Sequence, residues 1–429
     1  MKKRTLSILA ALCAAACVAG GCGSGNSGSI LILDGADKTD AVRLTVYGNF
    51  GDRYSLNVIE DTLQKFMSEN SVIATYESAG ENVFWQALDR RHSSGNLDDI
   101  FAIEHDRLTA MSAEGLLCDL SDIVNDKIFN DFARSQITDE NGKIYAVPTS
   151  LSTYGLYVNY DLLQKNNLSV PSNLDEFGTI CDIFKDDVTP IICNNYSSLS
   201  SLIVAVGMYD TYCTADLSGE IEKFNLNPSL IIPQLERGIN FVFDMIEKGW
   251  IDIDQAASAG ISSGDAELFA TGKYPFMITG GWISDTLKET LDNKSLSYAI
   301  YPYPVLENSS VLVAKTDLLS VRKGENETEA KKLLSYLTNS QSIISLNENR
   351  CRFSPLNITQ INADATIMPS ANSLFTKGKY VVYSDNRLSL PVDSILRECT
   401  DLILYEGADA ATVKDYLALL INGFEEAGK

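Results

Sequence analysis

Trp282 follows Gly280 and Gly281 at the end of an apolar run, and the loop His105–Asp106–Arg107 follows another such run, Asp99 to Ile103. An aromatic plane at one strand end and charged groups at another can hold a small polar molecule, stacking on its apolar face and exchanging hydrogen bonds around its rim. The glycine pair would let the backbone turn tightly and point the indole outward. Other residues of suitable type are Asn49, Asp52 and Tyr154, with Asn386 in the polar run that also holds Tyr383, Asp385 and Arg387. Each has a plainer alternative. Asp106 suits the first turn of a helix and Arg107 a surface cation; Asn49 and Asp52 suit turns, Tyr154 can pack inside a strand, and Asn386 can sit in a solvated loop. Trp85 and Trp250 fall within helical patterns and read as core.

Catalytic chemistry finds less support. Gly260, Ile261, Ser262, Ser263 and Gly264 spell the string of a hydrolase nucleophile elbow, but that arrangement needs a histidine after the serine. The two histidines are His92 and His105, both earlier in the chain. They are also too few for a histidine-built metal site, so no metal and no cofactor are expected. No Walker A string or dinucleotide fingerprint occurs.

The elements that must position these residues alternate between strand and helix. Val42 to Tyr47 alternates like a strand, a polar loop runs from Asn49 to Tyr54, and Val58, Leu63, Phe66 and Met67 then recur at helical spacing. The unit repeats as Val72 to Glu77 with a helix holding Trp85, Ala87 and Leu88, and as Asp99 to Ile103 with a helix closed by Gly115. Such a pattern implies a largely parallel sheet with helices on both faces, and in these sheets ligands bind at the carboxyl ends of the strands. The loops holding Asn49 and Asp52, and Asp106 and Arg107, lie at such ends.

The N-terminus addresses the protein. Lys2, Lys3 and Arg4 precede an apolar stretch of about 13 residues, short of the roughly 20 that span a bilayer, so residues 1–21 read as a signal peptide. Cys22 at its end, followed by a Gly/Ser-rich run, resembles the lipobox of bacterial lipoproteins. That resemblance implies lipidation of Cys22, with residues 22–41 as the lipidated cysteine and a flexible linker. The formal charge is −23 over 429 residues, and removing the signal makes it three units more negative. So acidic a surface disfavours nucleic acid and electrostatic membrane contact, leaving the lipid as the membrane contact. The six cysteines beyond Cys22 are scattered, as core residues with at most one disulfide would be, and pairing cannot be read from spacing.

Three stretches resemble the extracellular solute-binding proteins of ABC importers, in particular their carbohydrate-binding branch: Asp98–Asp122, Asn141–Leu163 and Thr271–Trp282. Ile103 departs from the pattern, standing where maltodextrin-binding relatives can carry an aromatic ring. The resemblance implies an α/β, two-lobed periplasmic-binding-protein-like fold, each lobe a mainly parallel sheet flanked by helices. Residues 42–150 plus 299–346 would form one lobe, and residues 151–298 plus 347–429 the other, joined by a hinge. It also implies a monomer that captures a sugar, delivers it to permease subunits, and faces outward on the bacterial cell membrane. A pyranose, with an apolar C–H face and a rim of hydroxyls, fits the aromatic and charged residues above. The alternatives are a surface glycoside hydrolase, which needs only two placed carboxylates, and a sugar- or peptide-binding lipoprotein that serves no transporter.

Overall fold

The structure, a computed structural model, describes residues 29–32, 41–79, 81–124, 129–139, 141–213, 216–259, 264–291, 295–306, 309–348, 351–357 and 366–427. The expected signal peptide, Cys22 and residues 260–263 of the elbow string lie outside them.

Strand β1 is Ser29–Ile32, inside the stretch expected to be a flexible linker; it pairs antiparallel with a later strand. Three consecutive apolar residues, Ile30, Leu31 and Ile32, favour an extended edge strand over a solvated tether. The repeating units follow. Strand β2 (Val42–Gly48) leads to helix α1 (Arg53–Glu69), which buries Ile59, Leu63, Phe66 and Met67 along one stripe. Strand β3 (Val72–Ser78) alternates buried and half-buried residues and leads to helix α2 (Glu81–Ser93). Strand β4 (Ile100–Ile103) is buried throughout and leads to helix α3 (His105–Ala113), just beyond which Gly115 takes φ +73°, the left-handed turn that stops the helix.

The rest of the sheet is β5 (Val147–Asn159), β6 (Ile191–Cys193), β7 (Phe276–Gly280), β8 (Tyr298–Tyr301), β9 (Tyr303–Leu306), β10 (Ser309–Val321), β11 (Arg352–Phe353) and β12 (Tyr380–Val382). Among the described residues these form one twelve-stranded sheet, with main order β1-β3-β2-β4-β10-β5-β7-β6. Helices cover it, including α4 (Asn195–Gly207) and α5 (Val392–Glu406).

The parallel part is narrower than the expected mainly parallel sheets. Strands β2, β3 and β4 run parallel at one end, and β6 and β7 at the other. The middle, β4-β10-β5-β7, is antiparallel. The cause is the pair of 13-residue strands β5 and β10, which run past each other and reach both ends.

Two buried clusters result. One gathers Leu44, Leu63, Phe101, Leu319 and Leu333; the other gathers Phe177, Ile203, Ile239, Leu396 and Leu417. They depart from the expected segment borders. Tyr303 and Val305 join the second cluster, while Cys351, Phe353 and Met368 join the first. Successive strand residues face opposite sides of the sheet, so Leu156 and Tyr157, adjacent on β5, pack into different clusters. The six described cysteines are free thiols, all buried except Cys213.

Candidate ligand-binding site

The candidate residues lie in the loops after β2, β4 and β7, and each loop is fixed by a different device. After β2, the Tyr76 hydroxyl donates to the Phe50 carbonyl at 2.9 Å and accepts from the Phe50 amide at 3.1 Å, pinning the loop. Gly48 is required there, because a Cβ would meet the Tyr76 hydroxyl at 2.4 Å and its ring at 2.5 Å. Asp52 caps α1, its Oδ1 accepting from the Ser55 amide at 2.9 Å. The sequence placed Asp52 among ligand residues; the structure uses its carboxylate as a helix cap. Asn49 is half-buried in a bend of the same loop.

After β4 the charges form a chain. Lys315, from the middle of β10, donates to Glu104. Arg107 reaches Glu104 at 3.3 Å and grips Asp89 with two bonds of 2.8 and 2.9 Å. Burial works against the charge of Arg107, and Asp89 and Glu104 more than restore it. Trp85 lies under both cations, 5.0 Å from Arg107 and 5.6 Å from Lys315, so the core residue of the sequence reading is also a cation platform. The Lys315 ammonium is 5.8 Å from the Trp282 ring, which ties the charged chain to the aromatic side.

Asp106 points elsewhere. Its Oδ2 accepts from the amide of Ser394 at 2.9 Å and from the Ser394 hydroxyl, in the first turn of α5. Because α3 packs into the first cluster and α5 into the second, this contact ties the two together. Burial first, and then the nearby Asp393 carboxylate, push the Asp106 carboxyl above its ordinary range despite the two donors. Arg397, one turn on, balances Asp393 at 3.6 Å and stacks 4.1 Å over Tyr196. Asn386 is likewise engaged, its amide nitrogen donating to the Gln136 carbonyl. The Gln136 side chain donates to Asp385 at 2.9 Å and accepts from the Asn386 backbone at 3.1 Å.

After β7, the indole of Trp282 does not point outward. It folds back over Gly280, where a Cβ would stand 2.2 Å from the ring. Neither Gly280 nor Gly281 takes a positive φ, so the pair serves close approach and not a left-handed turn. At Gly281 the obstacle to a Cβ is the Cys351 carbonyl at 2.7 Å. Trp282 is half-buried against both clusters and meets Tyr154 edge-on at 5.1 Å. Tyr154 is buried and backs the indole, with Tyr383 4.9 Å away on its other side. Trp282, Tyr154 and Arg107 thus share one neighbourhood, while Asp52, Asp106 and Asn386 work within the protein.

Sequence reasoning passed over Lys315. A lone lysine inside the apolar strand Ser309–Val321 was the signal, since a buried ammonium must find a carboxylate.

The arrangement offers a tryptophan face and charged hydrogen-bonding groups, and among the described residues no cluster of His, Cys, Asp and Glu could hold a metal. A family model for bacterial extracellular solute-binding proteins matches residues 61–348. The chain is 24% identical over 360 residues to a binding protein of Brucella abortus (strain 2308), covering 81% of this chain and 84% of that one. It is 22% identical over 282 residues to the maltooligosaccharide ABC transporter solute-binding lipoprotein of Streptococcus pneumoniae (strain ATCC BAA-255 / R6), covering 65% of this chain and 63% of that one. Among solved structures, a chitin oligosaccharide binding protein superposes with a TM-score of 0.70 at 16% identity, over 90% of this chain and 99% of that one. The fold is the two-lobed α/β fold of these neighbours, and the chain belongs to the bacterial extracellular solute-binding proteins.

Proposed function

We propose that the protein captures a sugar or oligosaccharide between its two lobes and delivers it to the permease of an ABC transporter. The observation that carries the sugar assignment is the half-buried Trp282 face, backed by Tyr154 and set within reach of the Glu104–Lys315–Arg107 charges. A ring with an apolar face and a hydroxyl rim uses both kinds of surface at once. The maltooligosaccharide specificity in the name of the pneumococcal relative and the chitin oligosaccharides bound by the structural neighbour support the same class.

The lobes follow the sheet ends, one built on β2, β3 and β4 and the other on β6 and β7, with β5 and β10 crossing between them. A ligand that touches both lobes favours the closed arrangement by its differential affinity for it. Cys22 carries the lipid that holds the protein on the outer face of the membrane, and tethering raises its local concentration at the permease. The lipobox-like residues and the lipoprotein relative support this. Among the described residues no helix is long and apolar enough to cross a membrane.

The test is a thermal-shift screen of the chain lacking residues 1–22 against mono- and oligosaccharides, with amino acids and short peptides as controls. A ligand that binds only the folded protein raises its melting temperature. A shift with one glycan class, and no hydrolysis of it, supports the proposal; shifts with peptides alone overturn the sugar assignment.

A further inference from the structure

We infer that Arg352 is a ligand-binding residue that grips two adjacent oxygen atoms of the bound solute. This rests on the reading that a solute lies between the loops after β2 and β7. Arg352 stands between those loops. Its backbone pairs with Ser152 on β5, and the carbonyl of its neighbour Cys351 backs Gly281, next to Trp282. Its guanidinium lies 5.0 Å over the ring of Phe50, in the loop after β2.

What sets Arg352 apart is that it is buried and, among the described residues, has no carboxylate partner. The residue is 6% exposed, and its Nε and Nη1 are buried with no hydrogen-bond partner. Neighbouring cations differ: Lys315 has Glu104, Arg107 has Asp89, Arg387 has Asp385 and Arg397 has Asp393. A dry guanidinium without a carboxylate is costly, and stacking on Phe50 supplies no acceptor for its N–H groups. Nη2 lies beside both orphaned nitrogens in the guanidinium plane, so with either one it makes a two-pronged fork. Such a fork matches a vicinal pair of sugar hydroxyls or the carboxylate of a uronic acid, two sources of one chemistry.

This role predicts an unusual combination. Removing Arg352 relieves an uncompensated buried charge in the ligand-free protein while destroying a ligand contact. A cation kept only to pack on Phe50 predicts the reverse. The experiment compares wild type, Arg352→Met and Arg352→Lys, first by ligand-free melting. Titration calorimetry then uses maltotriose, raffinose, chitotriose and trigalacturonate as probes. Arg352→Met should melt no lower than wild type. Both variants should bind at least about tenfold more weakly whichever probe the wild type takes, because lysine keeps the charge and loses the fork. A loss confined to trigalacturonate assigns the carboxylate, and a loss with a neutral probe assigns the hydroxyl pair. A lower ligand-free melting temperature for Arg352→Met overturns the inference, as does unchanged affinity for Arg352→Lys. If the wild type binds none of the four probes, the sugar reading loses its support, and the ligand-free melts alone decide for or against Arg352.

Discussion

Two neighbouring regions beside β5 and β10 are held in opposite ways. Around Glu104 the structure depends on charge pairing: Asp89, Arg107, Glu104 and Lys315 form an unbroken chain, each member with an opposite partner. Around Trp282 and Arg352 it depends on fit, with Gly280 under an indole, Gly281 against a carbonyl, and a guanidinium buried to the same degree as Glu104 but without a carboxylate. The difference separates a cluster completed within the protein from one that is not. A satisfied charge network rigidifies its surroundings, whereas unsatisfied donors mark a place awaiting a partner.

The contrast can be broken hardest at Lys315. Lys315→Met leaves Glu104 buried with Arg107 at 3.3 Å as its remaining cation. Loss of one member of a buried pair should cost about 3 kcal/mol in denaturant melts. Replacing Glu104 by leucine in that background should recover most of the loss, because an apolar pair can substitute for a buried ion pair. On the other side, Gly280→Ala places a methyl where the indole lies. Overpacking of this kind costs about 1–3 kcal/mol, and the displaced ring should change the tryptophan fluorescence. An unchanged spectrum would contradict the description of that turn.

Asp106 sharpens the comparison, since its carboxyl is raised by burial and by Asp393 within a charged region that is otherwise balanced. A folded value above the unfolded one contributes stability that is full below the ordinary carboxylate range and is lost as pH rises through the raised value. Asp106→Asn, uncharged throughout, should therefore gain on wild type as pH rises from about 4 to 7. Paired melts across that range check this; a constant difference would place the pH response elsewhere. The smallest effect is expected at Asp52: Asp52→Ala removes a helix cap worth about 1 kcal/mol, with little change in solute affinity.

Much of the scaffold was legible because local periodicity wrote it. The spacing of Leu63, Phe66 and Met67 marked α1, the alternation in Val72–Ser78 marked β3, and Gly115 marked the end of α3. Trp282 and its glycines were legible as a place, though not as a geometry, because the ring's path back over Gly280 depends on three-dimensional packing. Lys315 and Glu104 stand 211 positions apart, and Asp106 and Ser394 stand 288 apart. No local pattern announces such pairings. Arg352 was not singled out, since a two-residue strand leaves no periodic trace. The long β10 was overlooked because Lys315 and Asp317 interrupt its apolar run, Lys315 being absorbed by Glu104 at the start of α3 and Asp317 by Ser150 and Ser152 on β5.

The fold of Trp282 over Gly280 also constrains how the site can evolve. A side chain at position 280 and an indole in its present place compete for the same space, so changes at the two codons are coupled. A lineage exchanging its tryptophan for a smaller residue frees position 280 to change afterwards, whereas the opposite order passes through a form in which methyl and ring collide. Mutational history at this turn is therefore biased: losing the large residue before the glycine avoids the cost of a displaced ring, whereas the reverse order incurs it.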